Sequence, residues 1–172
     1  HQSIGVPQPL KEFGTEAQKR AFLPRLARGE ISAFALTEPE AGSDAGGVQT
    51  TATPTDDGSA FILNGVKHYI TNGGIAQILT VMARTPDGKG GTKVTAFLVT
   101  PDMPGFEVLE ARAEKCGIRG TATGKMRFTN VRVPKENVLG QMGRGLQAAL
   151  SVLNFGRVTF GATCTGHAKV CV

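Results

Sequence analysis

The sequence has 172 residues, 40% of them apolar and 19% charged, so it can bury a core and does not have the composition of a disordered chain. Its formal net charge of +5 comes from scattered lysines and arginines, which argues against a nucleic-acid-binding surface. Three irregularly spaced cysteines exclude a disulfide framework and are expected to be buried free thiols, and no apolar run is long enough to span a bilayer.

The first thirty residues are predicted to contain one helix. Thr15-Glu-Ala-Gln18 has the form of a capping box, in which the Thr15 and Gln18 side chains satisfy free amides at the start of a helix. An apolar stripe follows, interrupted by Pro24, which is expected to kink it. Gly29 is predicted to cap the C-terminal end of this helix.

From Ile31 to about Leu139 the pattern changes to short β-rich segments separated by turn signals. Asn64-Gly65 between two such segments predicts a two-residue hairpin, because a type I′ turn needs positive φ at both residues. Seven short strands at this spacing predict an antiparallel β-barrel or sandwich. The predicted strands are Ile31–Leu36, Ala60–Leu63, Val66–Ile70, Ile78–Ala83, Val94–Val99, Phe106–Leu109 and Lys125–Val131.

After Gly145 the apolar spacing becomes helical again and continues to Val172 without a stop signal. Because the sequence also lacks an initiator Met, we expect both termini to be cuts in a longer protein. The predicted fold class is mainly β, an antiparallel barrel or sandwich flanked by partial helical segments. Residues 1–30 end one helical domain, residues 31–140 form the middle β-domain, and residues 141–172 begin a second, truncated helical domain.

Three blocks of sequence carry a family resemblance. The blocks Phe34–Asp44 (FALTEPEAGSD) and Asn64–Gly74 (NGVKHYITNGG) resemble the two signature stretches of acyl-CoA dehydrogenases, in the same order. Asn130–Gly140 is similar to the strand that leads into the C-terminal helical domain of that family. Within the family, Lys115–Gly120 and Asn154–Arg157 look most like the very-long-chain group.

This resemblance implies an FAD-binding site. In the family, the first block wraps the pyrimidine side of the flavin with backbone amides and a threonine hydroxyl, and the second places a hydroxyl, here that of Thr71, near flavin N5. Tyr69 stands where the family usually has tryptophan, as the aromatic cover on the flavin face away from substrate. The implied cofactor-binding residues are Phe34, Leu36, Thr37, Gly42, Ser43, Tyr69, Ile70 and Thr71.

The resemblance also implies which residues bind the acyl-CoA substrate: Ser43, Asn154 and Arg157. The glutamate that acts as base in a minority of relatives would precede this arginine, but Gly156 occupies that position. The catalytic base is therefore expected beyond Val172, and no catalytic residue is assigned within the chain. Without a base the chain alone is expected to be inactive, and to purify nearly free of FAD.

Other polar side chains receive structural interpretations. His68 and His167 have no metal-ligand spacing, so no metal site is predicted. Glu38, Glu40 and Asp44 are expected to have satisfied loop or helix-capping roles.

The implied function is FAD-dependent dehydrogenation of acyl-CoA thioesters to trans-2-enoyl-CoA. An electron-transfer flavoprotein or a similar acceptor is the implied partner, and the full-length protein is expected to be a homo-oligomer that binds no nucleic acid. It would be cytoplasmic in a bacterium and on the mitochondrial matrix side in a eukaryote. Three alternatives stay open: a flavin oxidase or monooxygenase on the same scaffold, a non-catalytic assembly protein of the family, and an unrelated β-barrel binding module.

Overall fold

The computed structural model describes residues 5–172, apart from the side chain of Phe155. Within these described residues, the α-helices that flank the strands are α1 (Pro7–Phe13), α2 (Glu16–Ala27) and α3 (Gly145–Cys171). The predicted capping box is confirmed, because the Gln18 amide donates to the Thr15 hydroxyl and the Thr15 amide donates to the Gln18 side chain. Helix α2 continues through Pro24 and ends before Gly29, whose φ of 104° supplies the left-handed residue of a C-terminal cap.

The described residues form eight strands in one sheet, with β1 paired beside β4 and the other seven in the order β6-β7-β3-β2-β4-β5-β8. The pairings are antiparallel except for β1 with β4 and β2 with β4, which are parallel. The mainly β prediction with helical flanks is therefore confirmed. The strands are β1 (Ser32–Ala35), β2 (Thr51–Pro54), β3 (Ala60–Ile70), β4 (Ile78–Pro86), β5 (Thr92–Val99), β6 (Phe106–Glu110), β7 (Gly124–Pro134) and β8 (Val138–Leu139).

The predicted hairpin at Asn64-Gly65 is wrong, since both residues lie inside the continuous strand β3. The register of β3 against β7 shifts between Leu63 and Gly65, which marks a bulge. The Asn64 side chain is used across the sheet, where its Oδ1 accepts the Asn130 amide at 2.8 Å. Gly65 has a φ of 156°, and a Cβ there would lie 2.3 Å from the Thr50 hydroxyl. The glycine thus permits a close approach of two segments and does not form a turn.

Two apolar clusters lie on opposite faces of the sheet. Side chains of β4 alternate between them, with Leu79 and Val81 in one cluster and Ile78 and Met82 in the other. The first cluster also joins strands that are not neighbours in the sheet, as in the edge-to-face contact of Phe61 in β3 with Phe97 in β5 at 5.2 Å. The sheet therefore curls around the first cluster, and the helices pack on the second.

The three cysteines, Cys116, Cys164 and Cys171, are free but exposed. The expectation of buried thiols is wrong, because Cys116 lies in the loop between β6 and β7 and the other two lie on the exposed part of α3. Between residues 5 and 172, no helix has the length and apolarity needed to cross a membrane.

Candidate flavin and acyl-CoA site

A cleft of about 380 Å³ opens between the loop after β1, the end of β3 and the first half of α3. All eight predicted cofactor-binding residues line it, although they come from two blocks of sequence about thirty residues apart. Of the predicted substrate-binding residues, Ser43 and Arg157 line the cleft, whereas Asn154 does not. The lining comprises Phe34, Leu36, Thr37, Gly42, Ser43, Ala45, Tyr69, Ile70, Thr71, Leu150, Leu153 and Arg157.

The first wall is formed by the end of β1 and the loop that follows it. Ala33 and Ala35 point into the first apolar cluster, so Phe34 and Leu36 point to the opposite face. The loop then closes on itself, because Glu38 and Ala41 exchange two backbone hydrogen bonds of 3.1 and 3.2 Å. This closed loop directs the next residues, Gly42 and Ser43, into the cleft.

A buried ion pair lies behind this wall. The Lys67 ammonium donates to Glu38 Oε1 at 2.7 Å and to the Leu36 carbonyl at 3.1 Å, and neither charged side chain is more than 2% exposed. The Glu38 carboxylate also accepts the backbone amides of Gln49 and Thr50. The predicted loop role of Glu38 is thereby confirmed, and the pair ties β3 to the segment that carries the cleft-lining residues.

The pKa values of both members of the pair are lowered from their ordinary values. Burial lowers the pKa of Lys67 to about 8, although the Glu38 carboxylate opposes this shift. Burial acts to raise the pKa of Glu38. The charge of the Lys67 ammonium and the hydrogen bonds that the Glu38 carboxylate accepts outweigh burial and hold this pKa below its usual value. Sequence reasoning missed the role of Lys67. The signal was available, because Lys67 continues the odd-numbered series of inward positions that includes the buried residues Phe61 and Leu63.

The second wall is the end of β3, where the pairing with β7 again loses register between Lys67 and Ile70. Tyr69 has a φ of 54°, in the left-handed region that residues with bulky side chains rarely adopt. The residue is 65% exposed and lines the cleft. The His68 amide donates to the Thr37 carbonyl at 2.9 Å, so the two walls are joined directly. Irregularities of this kind re-aim a side chain that a regular strand would point elsewhere.

Helix α3 provides the third side. Leu150, Leu153 and Arg157 are spaced by three and four residues and so share one face of the helix, towards the cleft. The Arg157 guanidinium donates to Asn154 Oδ1 at 2.9 Å, so Asn154 contributes by holding the arginine. Among the described residues that line the cleft, Arg157 has the one charged side chain and none has a carboxylate.

Taken together, the cleft offers the hydroxyls of Thr37, Ser43 and Thr71, an aromatic face from Tyr69, and one cation. Gly42 adds room, because no atom lies within 4 Å of where a Cβ on this residue would be. Such a set suits a planar, heteroatom-rich ligand with an anionic part. In the described part of the chain, no three histidine, cysteine, aspartate or glutamate side chains are grouped so that they could hold a metal ion.

Comparisons with known proteins agree with the class that this fold and cleft define, a mainly β middle domain with helical flanks. The family model for the acyl-CoA dehydrogenase middle domain matches residues 33–131, and that for the acyl-CoA dehydrogenase N-terminal domain matches residues 1–30. The middle-domain match alone covers more than half of the sequence. The chain belongs to the acyl-CoA dehydrogenase family.

Individual relatives point the same way. The chain is 53% identical over 170 residues to the probable acyl-CoA dehydrogenase FadE10 of Mycobacterium tuberculosis, covering 98% of this chain and 26% of the relative. It is 45% identical over 172 residues to the human mitochondrial very-long-chain-specific enzyme, covering 96% and 26%. A crystal structure of an acyl-CoA dehydrogenase complexed with FAD from Bacillus anthracis superposes with a TM-score of 0.82 at 41% identity, covering 90% and 26%. The chain thus spans about a quarter of the length of these relatives.

Proposed function

We propose that this chain is the flavin-binding segment of an acyl-CoA dehydrogenase that converts acyl-CoA thioesters to trans-2-enoyl-CoA. One observation carries the proposal: the eight residues implied to bind FAD, drawn from two separate blocks, line a single cleft of about 380 Å³. Family membership and the similarity to an enzyme solved with FAD support the same assignment. When bound, FAD supplies the hydride acceptor of the reaction.

The residues in the cleft fit an isoalloxazine ring. Thr37 and Ser43 supply hydroxyls on the first wall and Thr71 supplies one on the second, where they can bond the polar edge of the ring. Tyr69 presents an exposed aromatic face that can stack on it. The space at Gly42 lets the backbone come close to a planar ligand.

Substrate binding is proposed for Ser43 and for the Asn154–Arg157 pair. The Arg157 guanidinium suits a phosphate or thioester oxygen, and its bond to Asn154 orients it for that contact. Proton abstraction needs a base within hydrogen-bond reach of the substrate. Because no carboxylate among the described residues lines the cleft, and Gly156 precedes Arg157, we propose that the base lies beyond Val172.

The remaining parts of the proposal follow from the family. We propose residues 1–30, 31–140 and 141–172 as the end of the N-terminal helical domain, the middle β-domain and the start of the C-terminal helical domain. The electron acceptor is an electron-transfer flavoprotein or a similar protein, and the full-length enzyme is a homo-oligomer. It works in the cytoplasm of a bacterium or on the matrix side of a mitochondrion.

The test uses the full-length enzyme that carries this sequence, titrated anaerobically with acyl-CoA thioesters of increasing length while the flavin absorption band is recorded. Bleaching of the band is the expected result, and the most effective chain length identifies the substrate. A bound flavin that no thioester bleaches would refute the dehydrogenase assignment. Absence of flavin from the full-length protein would refute the cofactor assignment as well.

A flavin oxidase is the second candidate, because Tyr69 replaces the tryptophan usual in the family. Rapid reoxidation of the reduced enzyme by air, with one peroxide formed per flavin, would favour the oxidase. Slow reoxidation by air with fast reoxidation by an electron-transfer flavoprotein would favour the dehydrogenase.

A further inference from the structure

Two neighbouring side chains at the cleft wall lie face to face. The rings of His68 and Tyr69 have centroids 3.8 Å apart and planes inclined by 13°. Adjacent residues in a regular strand point to opposite faces of the sheet, so such a pair cannot stack there. The stack exists because Tyr69 has a positive φ and the pairing with β7 loses its register at this point.

The two rings have different relations to the cleft. Tyr69 lines it, whereas His68 is not among its lining residues. His68 is also fixed in place, because its backbone amide donates to the Thr37 carbonyl on the opposite wall and it directly follows the buried Lys67. Tyr69 is 65% exposed, and the imidazole of His68 contacts one face of its ring.

We propose that His68 is a positioning residue for the flavin: its imidazole covers one face of the Tyr69 ring and holds the opposite face towards the isoalloxazine. The inference rests on the flavin site proposed above. It extends that proposal by giving a role to a side chain that the sequence alone marks only as structural. The smaller tyrosine ring thus receives support from a second ring behind it.

The stack can be tested directly in this chain, because Tyr69 is its only tyrosine and it contains no tryptophan. Tyrosine emission therefore reports on Tyr69 alone. His68→Leu keeps bulk but removes the ring, and His68→Phe restores a ring. We expect the emission and its anisotropy to change in His68→Leu and to stay close to the wild-type values in His68→Phe. His167→Leu, at an exposed position on α3, is the control for loss of a histidine.

The functional consequence is measured in the full-length enzyme. Aromatic pairs contribute modestly beyond their buried area, so His68→Leu should weaken FAD binding roughly two- to tenfold and shift the flavin reduction potential, while His68→Phe should restore both. In a Tyr69→Ala background the further change His68→Leu should have no effect, because His68 acts through the tyrosine ring.

Two outcomes would overturn the inference while leaving the flavin site intact. One is a His68→Leu enzyme that binds FAD with wild-type affinity and potential. The other is an equal effect of His68→Leu with and without the Tyr69 ring, which would mean that His68 acts by another route. A wild-type enzyme that binds no FAD would instead refute the proposed function, and the inference with it.

Discussion

Replacing Lys67 by methionine tests whether the buried ion pair stabilises the fold. Losing one partner of such a pair costs about 3–5 kcal/mol, because an uncompensated charge stays buried. In Lys67→Met the Glu38 carboxylate keeps the amides of Gln49 and Thr50 as donors, so we expect the lower end of that range, about 3 kcal/mol. In Glu38→Gln the cost should be higher, because the new amide NH2 faces either the Lys67 ammonium or a backbone donor.

The measurement is equilibrium urea unfolding of the chain, followed by far-ultraviolet circular dichroism. The double variant Lys67→Met/Glu38→Gln removes both charges and should cost less than the sum of the single variants, by about 1–3 kcal/mol. Lys93→Met removes an exposed lysine from β5 and should change the free energy of unfolding by less than about 0.5 kcal/mol. A Lys67→Met variant within about 1 kcal/mol of wild type, or additive single effects, would show that the pair does not act as the buried, coupled unit described.

Three further predictions use other features of the chain. Gly42→Ala should weaken FAD binding to the full-length enzyme without lowering its melting temperature, whereas Gly117→Ala, at an equally uncrowded position, should change neither. If a flavin titration gives the Gly42→Ala enzyme the same FAD affinity as wild type, the ligand does not lie against Gly42. Because the folded state holds the pKa of Glu38 below its ordinary 4.5, the ionised carboxylate contributes fully to the free energy of unfolding above pH 4.5, and this contribution is lost as the pH falls further. Urea unfolding at a series of acidic pH values should therefore show stability declining more steeply in wild type than in Glu38→Gln. Thr15→Ala removes the acceptor for the Gln18 amide and should cost about 1 kcal/mol in the same unfolding assay, and an unchanged midpoint would contradict the capping role.

The sequence was sufficient for the broad architecture because strands and helices leave periodic apolar patterns. It was less reliable where one signal has two structural meanings. Asn64-Gly65 is typical of a tight turn, but a glycine is needed equally where two segments approach closely, and only the position of Thr50 across the gap distinguishes the two cases. The strand Thr51–Pro54 was missed because it is only four residues long, has the small residue Ala52 as its one buried position, and ends in a proline.

The candidate cleft was likewise predicted only in part. Most of its lining residues could be selected by family resemblance, because they lie in contiguous blocks, but Ala45, Leu150 and Leu153 were not selected. The alternation in β3 indicates that Lys67 is buried, but neither its pairing with Glu38 nor the His68–Tyr69 stack could be predicted, since both depend on three-dimensional relations that contiguous blocks do not encode. The pair joins residues 29 positions apart, and the stack depends on a backbone conformation unusual for tyrosine.

The side of the cleft formed by helix α3 is only partly packed against the rest of the molecule. Ala149 and Val152 are buried against the rest of the molecule, but every residue from 157 to 172 is exposed, with two glycines in that stretch. A helix of this length without packing is marginal in water. Arg157 lies at the junction between the packed and unpacked parts, so the side of the cleft proposed to contact substrate depends on the element with the least packing. If Arg157 binds substrate as proposed, a contact that covers the outer turns of α3 should also strengthen substrate binding, and by thermodynamic reciprocity bound substrate should favour that contact.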